Sequence, residues 1–244
     1  MKGIILSGGS GTRLRPLTTV TSKQLLPIYN RPMIDYPLQT LLNAGIKDIL
    51  FIIAPDHAGD YLKYLGSGRE FGAKFSYEIQ DKPEGLSQAF IIGASFIGND
   101  DVCMILGDNF FEDDFKKEVD EFKGGAKIFL HKVTDPERFG VAVIKDKKVV
   151  KIVEKPQDKI SDLAITGLYI YDNRVIEVAK GLKPSARGEL EITDIHNWYL
   201  AKKELEAVIF PNGWIDMGTF ESLYAATKLA YKNSLINKFL EEKE

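Results

Sequence analysis

The first strand of the chain leads directly into a glycine-rich loop that ends in an arginine. The apolar residues 3–6 predict a short buried strand, and the loop after it contains Gly8, Gly9, Gly11 and Arg13. Glycines leave backbone N–H groups open to a ligand, and the arginine adds a fixed positive charge. This combination predicts a binding site for a polyphosphate at the carboxyl end of the strand.

Two familiar phosphate-binding motifs can be tested against this loop. A P-loop needs Gly-Lys followed by Ser or Thr, whereas here Gly11 is followed by Thr12 and Arg13. A Rossmann fingerprint needs a third glycine at position 14, which is Leu14. Both motifs fail at the residue that carries their mechanism, so a plain dinucleotide-binding domain is the weakest interpretation.

The composition limits the class of protein. The chain has 244 residues, 44% of them hydrophobic and 27% charged, which suits one globular domain with a sizeable core. A net charge near −3 without a basic block predicts neither nucleic acid nor a membrane surface as a partner. No segment approaches membrane-spanning length and no signal peptide is recognisable, so a cytoplasmic protein is expected. Cys103 lies in an apolar run and is interpreted as a structural thiol, and the three histidines show no metal-binding spacing.

Strand-like and helix-like patterns alternate through the first half of the chain. Strands are predicted at residues 3–6, 48–54, 74–79 and 102–106, and helices at 32–43, 58–65 and 84–96, with Pro32 in the first turn of its helix. This alternation is typical of an α/β protein with a mostly parallel, twisted sheet wrapped by helices. The glycine-rich loop and Asp108 then follow carboxyl ends of strands, the edge at which open sheets bind ligands.

The second half of the chain is richer in strands. They are predicted at residues 128–133, 141–144, 149–153 and 164–171, with helices at 174–181, 189–202 and 220–240. This pattern predicts a small mixed part laid across the sheet. We expect a single domain over residues 1–244, with a core at about 1–126, the mixed part at about 127–219 and a helical segment at 220–244.

The loop and the segment after it resemble the signature of the sugar nucleotidyltransferases. That signature reads GGxGTRLxPLT followed by KQLLP, and it is present here at residues 8–18 and 23–27. Further motifs resemble, within that family, the glucose-1-phosphate thymidylyltransferases. These motifs lie at residues 80, 84–89, 107–109, 136–141, 154–156, 166–169, 185–194 and 214–219, so the resemblance covers nearly the whole chain. It implies a Rossmann-like nucleotidyltransferase fold whose mixed part binds the sugar.

The resemblance implies a Mg²⁺-dependent reaction between two substrates. A thymidylyl group would pass from dTTP to α-D-glucose 1-phosphate, giving dTDP-glucose and pyrophosphate, the first step towards dTDP-L-rhamnose and related deoxysugars. It also implies a homo-oligomer. One alternative is the same chemistry with UTP, because the single methyl group that separates uracil from thymine is worth only ~1–3 kcal/mol. Another is a catalytically silent sugar-nucleotide sensor, which the intact charged residues of the motifs disfavour.

The resemblance also implies a role for individual residues. Those implied in nucleotide binding are Leu6, Gly8, Gly9, Ser10, Gly11, Thr12, Arg13, Lys23, Gln80, Gly85 and Asp108. Those implied in binding the sugar phosphate are Asn109, Gly140, Glu154, Lys155, Ile165, Arg187 and Trp214. The implied catalytic residues are Arg13, Lys23, Asp108, Lys155 and Asp216, of which Asp108 and Asp216 would hold Mg²⁺.

The residue types suit that chemistry, although each also has a simpler structural interpretation. Two polyanions have to meet, which needs cations and a metal, and Mg²⁺ prefers one or two carboxylates plus substrate oxygens. The Gln80 amide can pair with the donor and acceptor edge of a pyrimidine. Arg187 precedes a predicted helix beginning at Glu189, where a cation is unfavourable unless an anion docks. In the simpler view, Asp108 is a turn or capping residue and Lys155 a solvated strand end.

Overall fold

An open, twisted sheet forms the centre of the computed structural model, which describes residues 1–232. The strands are β1 (Lys2–Ser7), β2 (Pro27–Ile28), β3 (Arg31–Pro32), β4 (Asp48–Ile53), β5 (Lys74–Ile79), β6 (Val102–Leu106), β7 (Asn109–Phe111), β8 (Ala126–Lys132), β9 (Gly140–Lys145), β10 (Lys148–Glu154), β11 (Leu163–Tyr171), β12 (Leu205–Ile209) and β13 (Trp214–Asp216). The helices are α1 (Asp35–Asn43), α2 (Ala58–Leu65), α3 (Gln88–Ile92), α4 (Ala94–Ile97), α5 (Lys116–Asp120), α6 (Val175–Lys180), α7 (Ile192–Ala201) and α8 (Phe220–Lys232).

The parallel half of the sheet has the order β6-β1-β4-β5. Successive residues of β1 face opposite sides, so Ile4 packs into a cluster with Leu50 and Phe90 on one face. Ile5 packs with Leu38 and Phe51 on the other face. A strand buried on both faces reads as a continuous apolar run, which makes β1, β4 and β6 recognisable from sequence, whereas β5 at the sheet edge is partly exposed. The predicted mostly parallel sheet wrapped by helices is confirmed.

Strand β11 joins the two halves of the molecule. Along one edge it pairs antiparallel with β8. Along the other edge its second half pairs with β6, as at Tyr169 opposite Met104, whereas its first half pairs with β9 at Ala164 opposite Val141. The β9–β10 hairpin therefore diverges from the parallel strands, and a fork opens between them.

A bulge in β11 lies at this fork. Between Ile165 and Tyr169 the strand advances four residues against two residues of β8, from Leu130 to Ile128. An insertion of this kind bends a strand and re-aims its backbone groups. The expected mixed part is present, but it continues the sheet through β11 instead of lying across it.

Three predicted helices begin later than expected, and α1 and α3 are the first two. Helix α1 begins at Asp35, because Pro32 belongs to a two-strand hairpin in which it lies opposite Pro27. Helix α3 begins at Gln88, since Gly85 has a φ of +110° that no helix accommodates, and the predicted continuous helix is interrupted at Gly93.

The third difference is at α7, which begins at Ile192 and not at Glu189. Residues 185–189 instead form a closed loop, in which the Ser185 N–H donates to the Glu189 carbonyl over 2.9 Å. The helix predicted at 220–240 is confirmed as far as Lys232, and its remainder lies outside the described residues. None of the helices in residues 1–232 has the length and apolarity needed to cross a bilayer.

Two three-residue strands were not predicted, since they are too short to show a period. β7 and β13 pair antiparallel and place Asp216 opposite Asn109. Helix α8 packs its small residues Ala226 and Ala230 into a cluster with Met217, next to β13. This packing fixes the position at which the chain returns to the carboxyl end of β6.

Candidate active site

A cleft of about 630 Å³ lies in the fork, where the carboxyl ends of β1 and β6 face the first half of β11. The predicted site residues that line it are Leu6, Gly9, Arg13, Lys23, Gln80, Gly85, Asp108, Asn109, Gly140, Glu154, Lys155, Ile165, Arg187, Trp214 and Asp216. The other predicted residues, Gly8, Ser10, Gly11 and Thr12, belong to the glycine-rich loop at its rim. Residues spread over more than 200 positions of sequence thus meet in one cleft.

The glycine-rich loop turns sharply at Gly11. This residue has a φ of +62°, in the left-handed region that favours glycine, and its carbonyl accepts a 2.8 Å hydrogen bond from Thr18 Oγ1. A single 3₁₀ turn over Thr12–Leu14 follows and carries Arg13 towards the cleft. A Cβ at Gly218 would lie 2.9 Å from Arg13 Nη2 and 2.7 Å from Asp216 Oδ1, so both groups approach the backbone there.

Asp108 is held ionised by its neighbours. Lys23 Nζ forms an ion pair with Asp108 Oδ2, and Asn109 Nδ2 donates to Asp108 Oδ1 over 3.0 Å. Burial works to raise the pKa of Asp108, but the charge and hydrogen bond of Lys23, together with Asn109 and Arg13, lower it below its ordinary value. A carboxylate is therefore present here at neutral pH.

Asp216 has the opposite electrostatic character. The Met217 N–H donates to the Asp108 carbonyl over 2.8 Å, which brings the two aspartates together. Burial and then the charge of Asp108 raise the pKa of Asp216 to about 6, against the opposing charges of Lys23 and Arg13. Asp216 Oδ1 is buried and has no hydrogen-bond partner among residues 1–232. An unsatisfied buried carboxylate oxygen is costly unless a cation or donor meets it.

These two carboxylates fit Mg²⁺. Within the described part of the chain no group of three or more His, Cys, Asp or Glu side chains forms a complete metal cage. Mg²⁺ does not require one, since it is commonly bound by one or two carboxylates plus substrate phosphates and water. Asp108 and Asp216 supply that number, and the unpartnered Asp216 Oδ1 supplies a free ligand atom.

Asn109 is anchored on both sides of its amide. Its Oδ1 accepts from the Gly167 N–H over 3.0 Å and from Trp214 Nε1 over 2.7 Å. The bulge in β11 supplies the first of these donors, and a Cβ at Gly167 would lie only 2.6 Å from Asn109 Oδ1. The Trp214 ring also packs against Phe139 at 5.2 Å between centroids. Asn109 thus forms hydrogen bonds both to Asp108 and to Trp214, and Trp214 and Phe139 form one wall of the cleft.

The far end of the cleft carries Arg187 among carboxylates. Arg187 Nη2 donates to Glu154 Oε1 over 3.1 Å and to Glu191 Oε2 over 2.6 Å, while Arg187 Nε donates to Glu191 Oε1 over 3.1 Å. Glu191 also accepts from Ser185 Oγ over 2.6 Å. The anion expected beside Arg187 is therefore a carboxylate of the protein itself, that of Glu191, which is the N-cap residue of α7. Sequence reasoning missed Glu191 as the partner of Arg187, because the i, i+4 rule applies within helices and α7 begins only at Ile192.

Glu154 and Lys155 end β10 at the same place. Glu154 pairs opposite Gly140, where a Cβ would lie 2.9 Å from Thr193 Cγ2 and 3.1 Å from Glu154 Oε2. Burial raises the pKa of Glu154, with Lys155 and Arg187 opposing the shift and Glu191 adding to it. Lys155 has a φ of +40° and an exposed side chain, with Nζ 3.8 Å from Glu154 Oε1. Cleft residues absent from the sequence-based set also include Gln24, Arg138, Tyr169 and Thr193.

On the opposite wall, Gln80 and Gly85 lie near the glycine-rich loop. A Cβ at Gly8 would overlap Gln80 Oε1, so only glycine allows this amide to lie over the loop. The loop at Gly85 is docked on the segment before α7, with Leu190 N donating to the Glu84 carbonyl over 2.7 Å and Ser87 Oγ to the Glu191 carbonyl over 3.0 Å. A Cβ at Gly85 would lie 2.5 Å from Leu190 backbone atoms.

Fold and cleft together are those of a nucleotide-transferring enzyme. The family model for nucleotidyl transferases matches residues 2–233, and the chain belongs to that family. The glucose-1-phosphate thymidylyltransferase of Neisseria meningitidis serogroup A is 53% identical over 233 residues, which are 93% of this chain and 81% of the relative. The enzyme of the same name from Mycolicibacterium smegmatis is 48% identical over 234 residues, again 93% and 81%. The resemblance predicted from the motifs, to the glucose-1-phosphate thymidylyltransferases, is confirmed.

Solved structures agree with this placement. A Bacillus anthracis structure named as a glucose-1-phosphate thymidylyltransferase, in complex with sucrose, has a TM-score of 0.90 and 50% identity over 94% of this chain and 95% of its own. A UDP-glucose pyrophosphorylase complexed with UDP-glucose has a TM-score of 0.83 and 25% identity over 95% of this chain and 98% of its own. The chain therefore shares its fold with pyrophosphorylases of more than one nucleotide specificity.

Proposed function

We propose that this chain transfers a thymidylyl group from dTTP to α-D-glucose 1-phosphate, giving dTDP-glucose and pyrophosphate. One observation carries the proposal: a single cleft contains one cluster of Arg13, Lys23 and two aspartates and a second cluster in which Lys155 and Arg187 surround Glu154. Two polyanionic substrates repel each other, and cations in both clusters offset that repulsion. The names of the relatives at about 50% identity support the same reaction.

The residues divide into two groups by position. Arg13 and the glycine-rich loop bind the triphosphate, with Lys23 neutralising phosphate charge. Lys155 and Arg187 orient the sugar phosphate so that its oxygen attacks the α-phosphorus in line. That attack forms one P–O bond, the bond between the α-phosphorus and the bridging oxygen breaks, and pyrophosphate leaves with the electron pair. The sugar phosphate is ionised at neutral pH, so no protein nucleophile or base is needed.

Asp108 and Asp216 are the residues that would hold Mg²⁺. When bound, the ion withdraws charge from the phosphate oxygens and lowers their repulsion towards the attacking oxygen. Lys23 holds Asp108 in its ionised form. Binding of a cation would also favour the ionised form of Asp216, whose pKa is raised to about 6 by burial and by the charge of Asp108.

We further propose a place for the product. dTDP-glucose would supply dTDP-L-rhamnose and related deoxysugars in the cytoplasm, and the enzyme would work as a homo-oligomer. These assignments extend the resemblance of the motifs and remain predictions. Sedimentation of the purified protein tests the last of them.

A second candidate is the same reaction with UTP, favoured by the shared fold with a UDP-glucose pyrophosphorylase. Pyrophosphate release from dTTP, UTP, CTP, ATP and GTP, each with glucose 1-phosphate, separates the two. We expect the highest kcat/KM with dTTP. A higher kcat/KM with UTP would replace the proposed function by UDP-glucose formation, and no release with any nucleotide, despite tight binding, would favour a silent sensor.

A further inference from the structure

Gln88, at the start of α3, is fixed in one amide orientation by two different contacts with Glu84. Its Nε2 donates to the Glu84 carboxylate over 2.8 Å, and its Oε1 accepts from the Glu84 backbone N–H over 3.1 Å. A carboxylate only accepts and a backbone N–H only donates. Turning the Gln88 amide over would place donor against donor and acceptor against acceptor, so both contacts select the same orientation.

The fixed amide of Gln88 determines the orientation of Gln80. Gln88 Oε1, an acceptor, lies 2.6 Å from Gln80 Nε2. Because this neighbour can only accept, Gln80 must present its NH₂ group to Gln88 and its carbonyl oxygen the other way. Gln80 is 3% exposed and its side chain has little room for other rotamers.

Gln80 Oε1 lies over Gly8 at the wall of the cleft. Among residues 1–232 it receives no hydrogen bond. Gln80 Oε1 is therefore a hydrogen-bond acceptor at the wall of the cleft, next to the loop that contains Gly85. Any base placed here meets a carbonyl oxygen and not an NH₂ group.

We propose that Glu84 and Gln88 act as positioning residues that set the hydrogen-bond polarity of Gln80, and thereby select a pyrimidine with an N3–H donor. The inference rests on the proposed function and deepens it. Thymine and uracil carry N3–H, whereas N3 of cytosine is an acceptor and would face the Gln80 oxygen without a proton between them. Two opposed acceptors leave a buried group unpaired, which costs more than a missing bond. This hydrogen-bond relay from Glu84 through Gln88 to Gln80 predicts that CTP is rejected, and it does not distinguish dTTP from UTP.

Three substitutions of Gln88 differ in whether the new side chain donates or accepts hydrogen bonds, and they test its role in orienting Gln80. Gln88→Glu accepts only, so it keeps the NH₂ group of Gln80 turned towards position 88. Gln88→Lys donates only, so it turns the oxygen of Gln80 towards position 88 and the NH₂ group into the cleft. Gln88→Met does neither and leaves Gln80 free to flip. Ser95→Lys, on the exposed side of α4 and outside the cleft, is the charge-matched control.

The readout is the ratio of kcat/KM for dTTP over CTP with glucose 1-phosphate. We expect Ser95→Lys and Gln88→Glu to keep the wild-type ratio within about 3-fold, Gln88→Met to lower it at least ~10-fold and Gln88→Lys ~100-fold. The proposal would be overturned if Gln88→Met and Gln88→Lys kept the wild-type ratio. It would also be overturned if the ratio fell as far in Gln88→Glu as in Gln88→Lys. If the lysine variant does not fold, the uncharged Gln88→Met variant decides.

Binding of nucleoside monophosphates separates this inference from the proposed function. Calorimetry with dTMP, dCMP and N3-methyl-dTMP requires no turnover. We expect the wild type to bind dTMP at least ~10-fold more tightly than the other two, and Gln88→Lys to favour dCMP. A protein that shows this pattern but releases no pyrophosphate would refute the proposed function and support the relay. Equal affinity for dTMP and N3-methyl-dTMP would refute the relay whatever the activity.

Discussion

At the scale of single residues, two aspartates of identical chemistry differ because of their surroundings. Asp108 has Lys23 and Asn109 as partners, which hold its pKa below the ordinary value despite burial. Asp216 is buried beside that charge and its pKa rises to about 6, with Oδ1 unpartnered among the described residues. The pair therefore contains one carboxylate that is already ionised and one whose ionised form a bound cation would stabilise.

The metal assignment is tested by Asp108→Asn, which keeps the shape of the side chain and removes its charge. We expect kcat to fall ~100-fold or more, equivalent to at least ~3 kcal/mol of transition-state stabilisation, in a variant that a thermal unfolding scan shows to be folded at the assay temperature. Asp56→Asn, on the exposed surface, is the matched control. Near-normal turnover of the Asp108 variant at saturating Mg²⁺ would refute the assignment.

The division of the cleft is tested by comparing Arg13→Ala with Lys155→Ala. Arg13 lies beside Asp216, whereas Lys155 lies beside Glu154 at the end of β10. We expect the first variant to raise KM for dTTP about 10-fold or more, and the second to do the same for glucose 1-phosphate. Initial rates with each substrate varied in turn measure both effects. The same increase for both substrates in both variants would contradict the separate roles.

At the scale of elements, short connections position more of the site than the long strands do. Strands buried on both faces, such as β4 and β6, were predictable because their apolar runs are continuous. The hairpin at Pro32, the loop at Gly85 and the start of α7 at Ile192 were not, since tertiary contacts override the local pattern there. Asp216 could be recognised by its motif. Its pairing opposite Asn109 could not, because the two strands involved have three residues each and are too short to show an alternating pattern.

The docked loop is tested by Gly85→Ala. The residue has a φ of +110°, and a Cβ would lie 2.5 Å from Leu190 backbone atoms, so the loop has to move. We expect the Kd for dTTP to rise at least ~10-fold and the free energy of unfolding to fall by about 2 kcal/mol. Gly59→Ala, in α2 with nothing within 4 Å of its Cβ, serves as control and should be neutral or stabilising. An unchanged dTTP affinity would contradict the role of this loop.

The packing of α7 against the sheet makes stability depend on pH. His196 is fully buried, lies 2.6 Å from the Tyr171 hydroxyl through Nε2, and burial lowers its pKa from 6.5 to about 3. Between these values the unfolded chain binds a proton that the folded protein does not, so stability present above pH 6.5 is lost as the pH falls towards 3.

This linkage is measured by urea unfolding of wild type and His196→Gln from pH 7.5 to 4.5. We expect the wild type to lose about 2–3 kcal/mol more than the variant over that range. His57→Gln, which removes a partly exposed histidine elsewhere in the fold, is the matched control. Parallel pH curves for wild type and His196→Gln would contradict the buried neutral imidazole.

At the scale of the whole molecule, one sheet lines both sides of the cleft because it forks at β11. The parallel strands β1 and β6 present the loop and Asp108, while β9 and β10 carry Gly140 and Glu154 away from them on the other side of the cleft. Composition and periodicity predicted the parallel half, and the motifs predicted most of the cleft residues. The fork itself follows from a bulge between Ile165 and Tyr169, which no local pattern in the sequence reveals.

The central claim is that this fork joins two substrates directly, without a covalent intermediate on the protein. Incubation with dTTP labelled with ³²P at the α-phosphate, in Mg²⁺ and with or without glucose 1-phosphate, measures where the label goes. We expect the label in dTDP-glucose, with one pyrophosphate released per product, only when glucose 1-phosphate is present, and none on the protein. Labelled protein, or pyrophosphate released without the sugar phosphate, would contradict direct transfer in this cleft.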